Sequence, residues 1–168
     1  MRGITMASAM LLAGCGSGDG GGDAGAKTEI AAKLGAGLYE VTADVASLAS
    51  TDKTTPATKV KQGDKVAIKA CVAVDGKLDP ALLGEVGDTC TSPSSYVRNG
   101  RMSVQLVCKR AGDNGSIMVT TDGKFTADSF QGQAQSETQF YGDGDYKMTR
   151  KLTAKRVGDC PAGGVKAG

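Results

Sequence analysis

Histidine is absent from this 168-residue chain, and so is tryptophan. Without an imidazole there is no Ser-His-Asp or Cys-His nucleophile system and no imidazole ligand for a metal. Aromatic residues make up only 4% of the chain, so the core must be built from small aliphatic side chains that each bury little apolar area. The apolar run from Ile4 to Leu12 falls well short of the roughly 20 residues that a membrane-spanning helix needs. Charge is not concentrated either: 20 Lys and Arg are interleaved with 18 Asp and Glu for a net +2. The basic face required for binding a phosphate backbone is missing, which argues against nucleic acid as a partner.

What the chain does have begins at its start. Arg2, the apolar run and Leu12-Ala13-Gly14-Cys15 resemble the n-region, h-region and lipobox of a bacterial lipoprotein signal peptide over 1–14. On that reading Cys15 is lipidated on its thiol and its amino group, and several acyl chains make a stable membrane anchor. The competing reading is an ordinary secretory signal with a cysteine near its end by chance. Gly16-Ser17-Gly18-Asp19-Gly20-Gly21-Gly22-Asp23 favours the lipoprotein, because an anchor needs a flexible tether (15–34) and Gly/Ser-rich chain is the most flexible kind. Gly16 is not aspartate, the residue that resembles an inner-membrane retention signal, so the expected location is the periplasmic face of the outer membrane.

About 130 residues remain, enough for one domain. Cys71, Cys90, Cys108 and Cys160 form an even set in an exported chain, which reads as two disulfides with three pairings open. A zinc site is the alternative, but the gaps are long, Cys-x-x-Cys does not occur and histidine is lacking. No metal and no cofactor is expected.

Strict alternation marks strands. Tyr39, Val41, Ala43 and Val45 share one side of 37–48, and Val66, Ile68, Ala70 and Val72 one side of 65–72. Phe130, Gly132, Ala134, Ser136, Thr138 and Phe140 lie opposite Gln131, Gln133, Gln135, Glu137 and Gln139. Asp79-Pro80 supplies a cap and a first helical residue for one short helix through Glu85. Around Arg98-Asn99-Gly100, a two-residue turn would pair Cys90 with Lys109. A three-residue loop would set Tyr96 against Met102 and Cys90 against Cys108. Only the second makes a bridge feasible, so Cys90 is expected with Cys108 and Cys71 with Cys160. After Gly142-Asp143-Gly144, Phe140 is placed opposite Tyr146, Thr138 opposite Met148 and Ser136 opposite Arg150. The expected fold is all-β with one short helix: an antiparallel meander curled into a half-barrel and stapled by two disulfides over 35–161, with a flexible tail at 162–168.

Gly37-Leu38-Tyr39-Glu40, the cysteines at 71, 90 and 108, Asp128-Ser129-Phe130 and the closing Arg156-Val157-Gly158-Asp159-Cys160 resemble the DUF3617 family of proteobacterial exported lipoproteins over roughly 35–161. The chain departs from the family in having Tyr39 where tryptophan is common, and Val72-Ala73 where Leu-Thr is common. The resemblance implies a disulfide-stapled antiparallel domain in an exported protein and brings no activity with it.

Ser50-Thr51-Asp52-Lys53 matches Ser-x-x-Lys, in which lysine activates serine from the next helical turn. It falls in a Thr-rich loop without Ser-Asp-Asn or Lys-Thr-Gly partners, so no catalysis is expected. Asp143-Gly144-Asp145 is a fragment of a calcium loop that reads better as a hairpin turn. The candidate ligand-facing set is Phe130, Ala134, Ser136, Phe140, Tyr146, Met148 and Arg150, since small residues bordered by aromatics leave room on the concave face. The competing reading fills that room with Leu82 and Leu83 or with the chain near Leu34. A buried Arg150 demands an internal carboxylate or an acidic head group. The first expectation for function is a non-catalytic structural or protein-interaction module with an envelope protein partner. The alternative is a periplasmic carrier or sensor for an amphiphilic ligand held in the concave face.

Overall fold

The computed structural model describes residues 31–162. The expected signal peptide, Cys15, most of the tether and the end of the tail lie outside the described residues. Seven strands follow in chain order: β1 Gly37–Ser50, β2 Lys65–Val72, β3 Asp88–Arg98, β4 Arg101–Arg110, β5 Gly115–Phe125, β6 Ser129–Phe140 and β7 Tyr146–Gly158. They form one antiparallel sheet in the order β2-β1-β7-β6-β5-β4-β3, curled into a half-barrel. Native twist and irregularities at Leu38/Tyr39, Val45/Ser47 and Thr91/Ser94 supply the curvature.

The edge strands β2 and β3 do not pair with each other. Residues 73–87 fill the gap, and the 3-10 helix Pro80–Leu82 touches both edges. Asp79 caps it as expected, its carboxylate accepting the Ala81 N–H at 2.9 Å, but the helix is one turn instead of a run to Glu85. A Cβ on Gly84 would come within 2.8 Å of Cys90 Sγ, so the chain leaves the helical path where it meets the disulfide.

The period-two pattern is realised along the sheet: Tyr39, Val41, Ala43 and Val45 are buried together with Ala70, Val72, Leu106, Val119, Phe130 and Leu152. Leu34, Leu82 and Leu83 pack into the same cluster. The concave face is therefore filled by the chain itself, the competing reading of that space.

Two registers differ from expectation. The β3–β4 hairpin has a two-residue turn, with Asn99 at φ 53° and Gly100 at φ 70° and Arg98 opposite Arg101, so Tyr96 faces Ser103 instead of Met102. Cys90 nevertheless sits opposite Cys108, because the bulge between Thr91 and Ser94 shifts the strand by one residue. Pro93 lies in that bulge on an edge strand, where its missing N–H costs no ladder bond. In the β6–β7 hairpin, Met148 lies opposite Ser136 and Arg150 opposite Ala134, two residues from the expected pairing and hence on the same faces. Within the loop, Asp145 accepts the Phe140 N–H at 2.9 Å, while Asp52 reaches across to accept the N–H groups of Gly144 and Asp145 at 2.8 and 2.9 Å.

The half-barrel has two ends of different construction. At one end residues 31–36 cross the opening, with Gly100 and Asn99 donating to the carbonyls of Ala31 and Ala32, and Gly35 donating to Ala127. Cys71–Cys160 is the disulfide of this closed end, with Cα atoms 5.9 Å apart. At the other end, residues 51–64 fold over the β6–β7 loop, Thr51 donating to Asp145 and Ala57 to Gly144. Cys90–Cys108 lies toward this mouth, joining directly opposed residues with Cα atoms 4.0 Å apart.

Candidate functional site

The mouth holds a cleft of about 680 Å³, within the roughly 300–1,000 Å³ typical of small-molecule sites. One wall is apolar: Val45 from β1, Val66 and Ile68 from β2, and Pro56 and Val60 from the loop folded over the mouth. Alternation puts these side chains here, since the inward residues of β1 and β2 carry on past the point where Leu82 and Leu83 stop filling the interior. The charged part of the lining comes from Lys59, Glu85, Asp88, Arg110, Asp113 and Arg150.

Arg110 is fully engaged. Its Nε donates to Asp88 at 2.8 Å and its Nη2 to the other Asp88 oxygen at 3.0 Å, a bidentate fork that brings orientation as well as strength. The same guanidinium lies 3.2 Å from Glu85 and donates to the Tyr146 hydroxyl at 3.1 Å, which donates in turn to Glu85. The Asp88 side chain is 1% exposed. Burial works against the Arg110 charge, but Asp88, Glu85 and Tyr146 outweigh it and hold the guanidinium more firmly protonated than free arginine. Burial pushes the Tyr146 hydroxyl far above the ordinary tyrosine range, and Glu85 adds to the shift.

Arg150 is built differently. It is 3% exposed, and its nearest acceptors are two backbone carbonyls, Gly84 O at 2.7 Å from Nη1 and Leu83 O at 2.6 Å from Nη2. Among the described residues no carboxylate forms an ion pair with it, so the internal partner expected for it is replaced by these carbonyls. The 83–84 segment leaves the helical path over β7, so its carbonyls need donors and the guanidinium supplies them. Burial lowers the Arg150 pKa from the ordinary arginine value, with Glu85 opposing the shift. Its Nε has no partner, and the hydroxyls of Thr121 and Ser136 are likewise buried and unpartnered. These three residues are neighbours on the inner face: Ala134 lies directly between Thr121 and Arg150, and Ser136 is the next inward residue along β6.

Of the residues expected to face a ligand, Arg150 alone lines the cleft. Phe130 and Ala134 lie under the packed interior with Leu34, Leu82 and Leu83. Tyr146 and Met148 form a second buried cluster with Val45, against which Phe140 and Val60 pack. Ser136 is buried and does not line the cleft. Ser50 Oγ donates to Asp52 at 2.9 Å instead of facing a base, and Asp52 also accepts from the backbone and hydroxyl of Thr54 at 2.9 and 2.7 Å. The Ser-x-x-Lys segment is thus the knot that ties the mouth loop to Gly144. Asp143-Gly144-Asp145 belongs to the hairpin loop, with Asp145 bonded to Phe140 and Thr138. Among the described residues no cluster of three or more acidic or cysteine side chains could hold a metal ion.

Glu85, Asp88 and Arg110 escaped the sequence reading, although one signal for them was present. A register that pairs Cys90 with Cys108 also places Asp88 opposite Arg110, two residues on, and opposite charges directly across an antiparallel pair attract.

A family model described as a protein of unknown function, DUF3617, matches residues 34–160. No curated protein and no solved structure matches the chain.

Proposed function

From the premise that the chain belongs to the DUF3617 family, we propose that it is an exported lipoprotein, held through Cys15 at the periplasmic face of the outer membrane, whose folded part carries or senses a small molecule. The cleft at the mouth is the observation that carries this reading: an apolar wall faces a cationic side chain that no carboxylate neutralises by contact. The site differs from the concave face first considered, where the chain's own leucines occupy the space. The reading is of binding without catalysis, supported by the engagement of Ser50 with Asp52 and by the lack of any histidine. A second reading, an interaction module for an envelope protein, is favoured by the edge strand β3, where Tyr96 is 41% exposed with the Arg98 guanidinium stacked 4.7 Å above its ring.

Native mass spectrometry of the full chain released from bacterial envelopes separates the two. Stoichiometric copurification of a small molecule is expected on the carrier reading. A uniformly empty protein would leave the interaction module, to be pursued by crosslinking from Tyr96.

A further inference from the structure

Resting on the lipoprotein reading, we propose that the outer rim of the closed end is a docking face for the phosphate headgroups of an anionic phospholipid surface, so that the mouth opens away from the bilayer. Over most of the outer face of the sheet, charges are matched between neighbouring strands. Asp44 lies between Lys65 and Lys151, Glu40 between Lys69 and Lys155, and Glu137 opposite Lys147. At the tip of the β3–β4 hairpin the pattern inverts: Arg98 lies directly opposite Arg101, and Arg101 directly opposite Lys124 of β5. All three are exposed, and none makes an ion pair among the described residues. Like charges directly opposed across strands repel, so the row weakens the fold unless an anionic partner neutralises it.

The other charges of this end are largely spent within it. Asp75 pairs with Lys77 and Asp159 with Arg156, Asp79 caps the 3-10 helix, Asp128 accepts from the Thr126 hydroxyl, and Lys33 donates to the Val74 carbonyl. Along β5, the next outward residue toward the mouth is Asp122. The positive excess is therefore concentrated in the hairpin row.

The bilayer is selected by where the chain enters. Gly100 and Asn99 of the same hairpin donate to the Ala31 and Ala32 carbonyls at 2.9 and 3.1 Å, so the chain leading back to Cys15 leaves the described fold beside the cation row. The 16 residues 15–30 correspond to a span of roughly 20 Å for a Gly-rich chain of that length and at most about 55 Å fully extended. Weak attraction suffices at that range, because a tethered domain cannot diffuse away. Each Lys or Arg near an anionic surface strengthens the contact about fivefold. The same rim presents Val74, 83% exposed, and Tyr96, 41% exposed beneath the Arg98 guanidinium, side chains whose apolar bodies and charged neighbours suit a headgroup layer. The interior of this end is filled, so lipid meets the rim and no pocket. The ten-residue β4 sets the mouth about 33 Å from the row, where a small molecule reaches the cleft from the aqueous side.

The test uses the full chain from bacterial envelopes, labelled with nitrogen-15, in phosphatidylcholine nanodiscs with or without phosphatidylglycerol and doped with a gadolinium-chelate lipid. Mass spectrometry reports acylation at Cys15. In the anionic discs the amides of 74–77 and 98–101 are expected to broaden while those of 142–144 at the mouth stay sharp, and neutral discs or high salt should erase the difference. Combining Arg98→Gln, Arg101→Gln and Lys124→Gln, all at exposed positions, should lower the ratio of docked to free domain roughly a hundredfold, three steps of about fivefold, without lowering Tm. Lys61→Gln, an exposed cation of the mouth loop, should change nothing. Equal broadening of both ends in anionic discs, or closed-end broadening that the triple variant keeps, would overturn the docking face and leave the lipid anchor standing. A triple variant that docks unchanged but loses an envelope protein crosslinked at Tyr96 would assign the row to a protein partner instead. A chain without acyl groups would overturn the lipoprotein reading and with it the choice of a bilayer.

Discussion

The two ends of the half-barrel are made from the same seven strands and are finished in opposite ways. At the closed end, Leu34, Leu82 and Leu83 complete an apolar filling with Phe130 and Tyr39, and residues 31–36 seal it by backbone hydrogen bonds. The Tyr39 hydroxyl lies 3.0 and 3.1 Å from the carbonyls of Gly35 and Ala127, so even the polar tip of that aromatic is spent on closure. At the mouth, the inner face carries Arg150, the 85–88 segment brings two carboxylates, and the covering loop stands off far enough to leave a cleft. A regular sheet thus holds an inert end and a receptive one. What separates them is where the fifteen residues between β2 and β3, 73–87, run out of leucines.

Breaking each disulfide tests the ends at the largest scale. On the chain-entropy account, Cys71→Ala with Cys160→Ala, which opens an 89-residue separation, should cost about 4–5 kcal/mol, and Cys90→Ala with Cys108→Ala, across 18 residues, about 3 kcal/mol. Denaturant unfolding of the two paired variants gives the comparison. A smaller loss for the closed-end pair than for the mouth pair would show that loop closure is not what these bridges contribute.

The filling can be probed residue by residue. Leu83→Ala removes a fully buried side chain from a cluster with no slack and should cost roughly 2–4 kcal/mol. Val60→Ala, at a half-buried position on the cleft wall, should cost under about 1 kcal/mol, because solvent already reaches the site. Equal losses in equilibrium unfolding would mean that the cleft is as tightly filled as the closed end.

The smallest effect concerns acid. Hydrogen bonds from the side chain and backbone of Thr54, and from the backbone of Asp145 and Gly144, hold the Asp52 carboxyl far below the ordinary aspartate range. A carboxyl depressed in the folded state adds stability that is fully present above the unfolded value of about 4 and is lost as pH falls through the folded value. The mouth loop should therefore stay docked at pH 4 and loosen only well below it, seen as loss of amide protection at Gly144 while the closed end remains protected. Titration of Asp52 near pH 4 in a carbon-detected NMR series would show that the knot does not form.

Much of this architecture was legible residue by residue. β2 was readable to its ends, because Val66, Ile68, Ala70 and Val72 alternate with charged or small partners, and β6 because glutamines mark its wet face so regularly. The pairing of Cys90 with Cys108 was reached through a three-residue loop, whereas the molecule arrives there with a two-residue turn and a bulge at Ser92-Pro93. The ambiguity is physical: a one-residue shift can be taken up in the turn or in the strand, and local propensity does not say which. The candidate site was legible only in Arg150. Its inward direction follows from period two, but its surroundings depend on which segment crosses β7.

The sequence by itself determined the strands, their inward and outward faces, the number of bridges and the absence of imidazole chemistry, because these follow from composition and short-range periodicity. The tertiary structure alone decided that Leu82 and Leu83 fill the interior, that Asp88 and Glu85 claim Arg110, and that Arg150 reaches backbone carbonyls and no carboxylate. Those outcomes turn on contacts between residues up to about seventy positions apart, as in the 67-residue separation of Arg150 from Leu83. Contacts of that range are set by how far the sheet curls and where one connecting segment crosses it, quantities that no local pattern encodes.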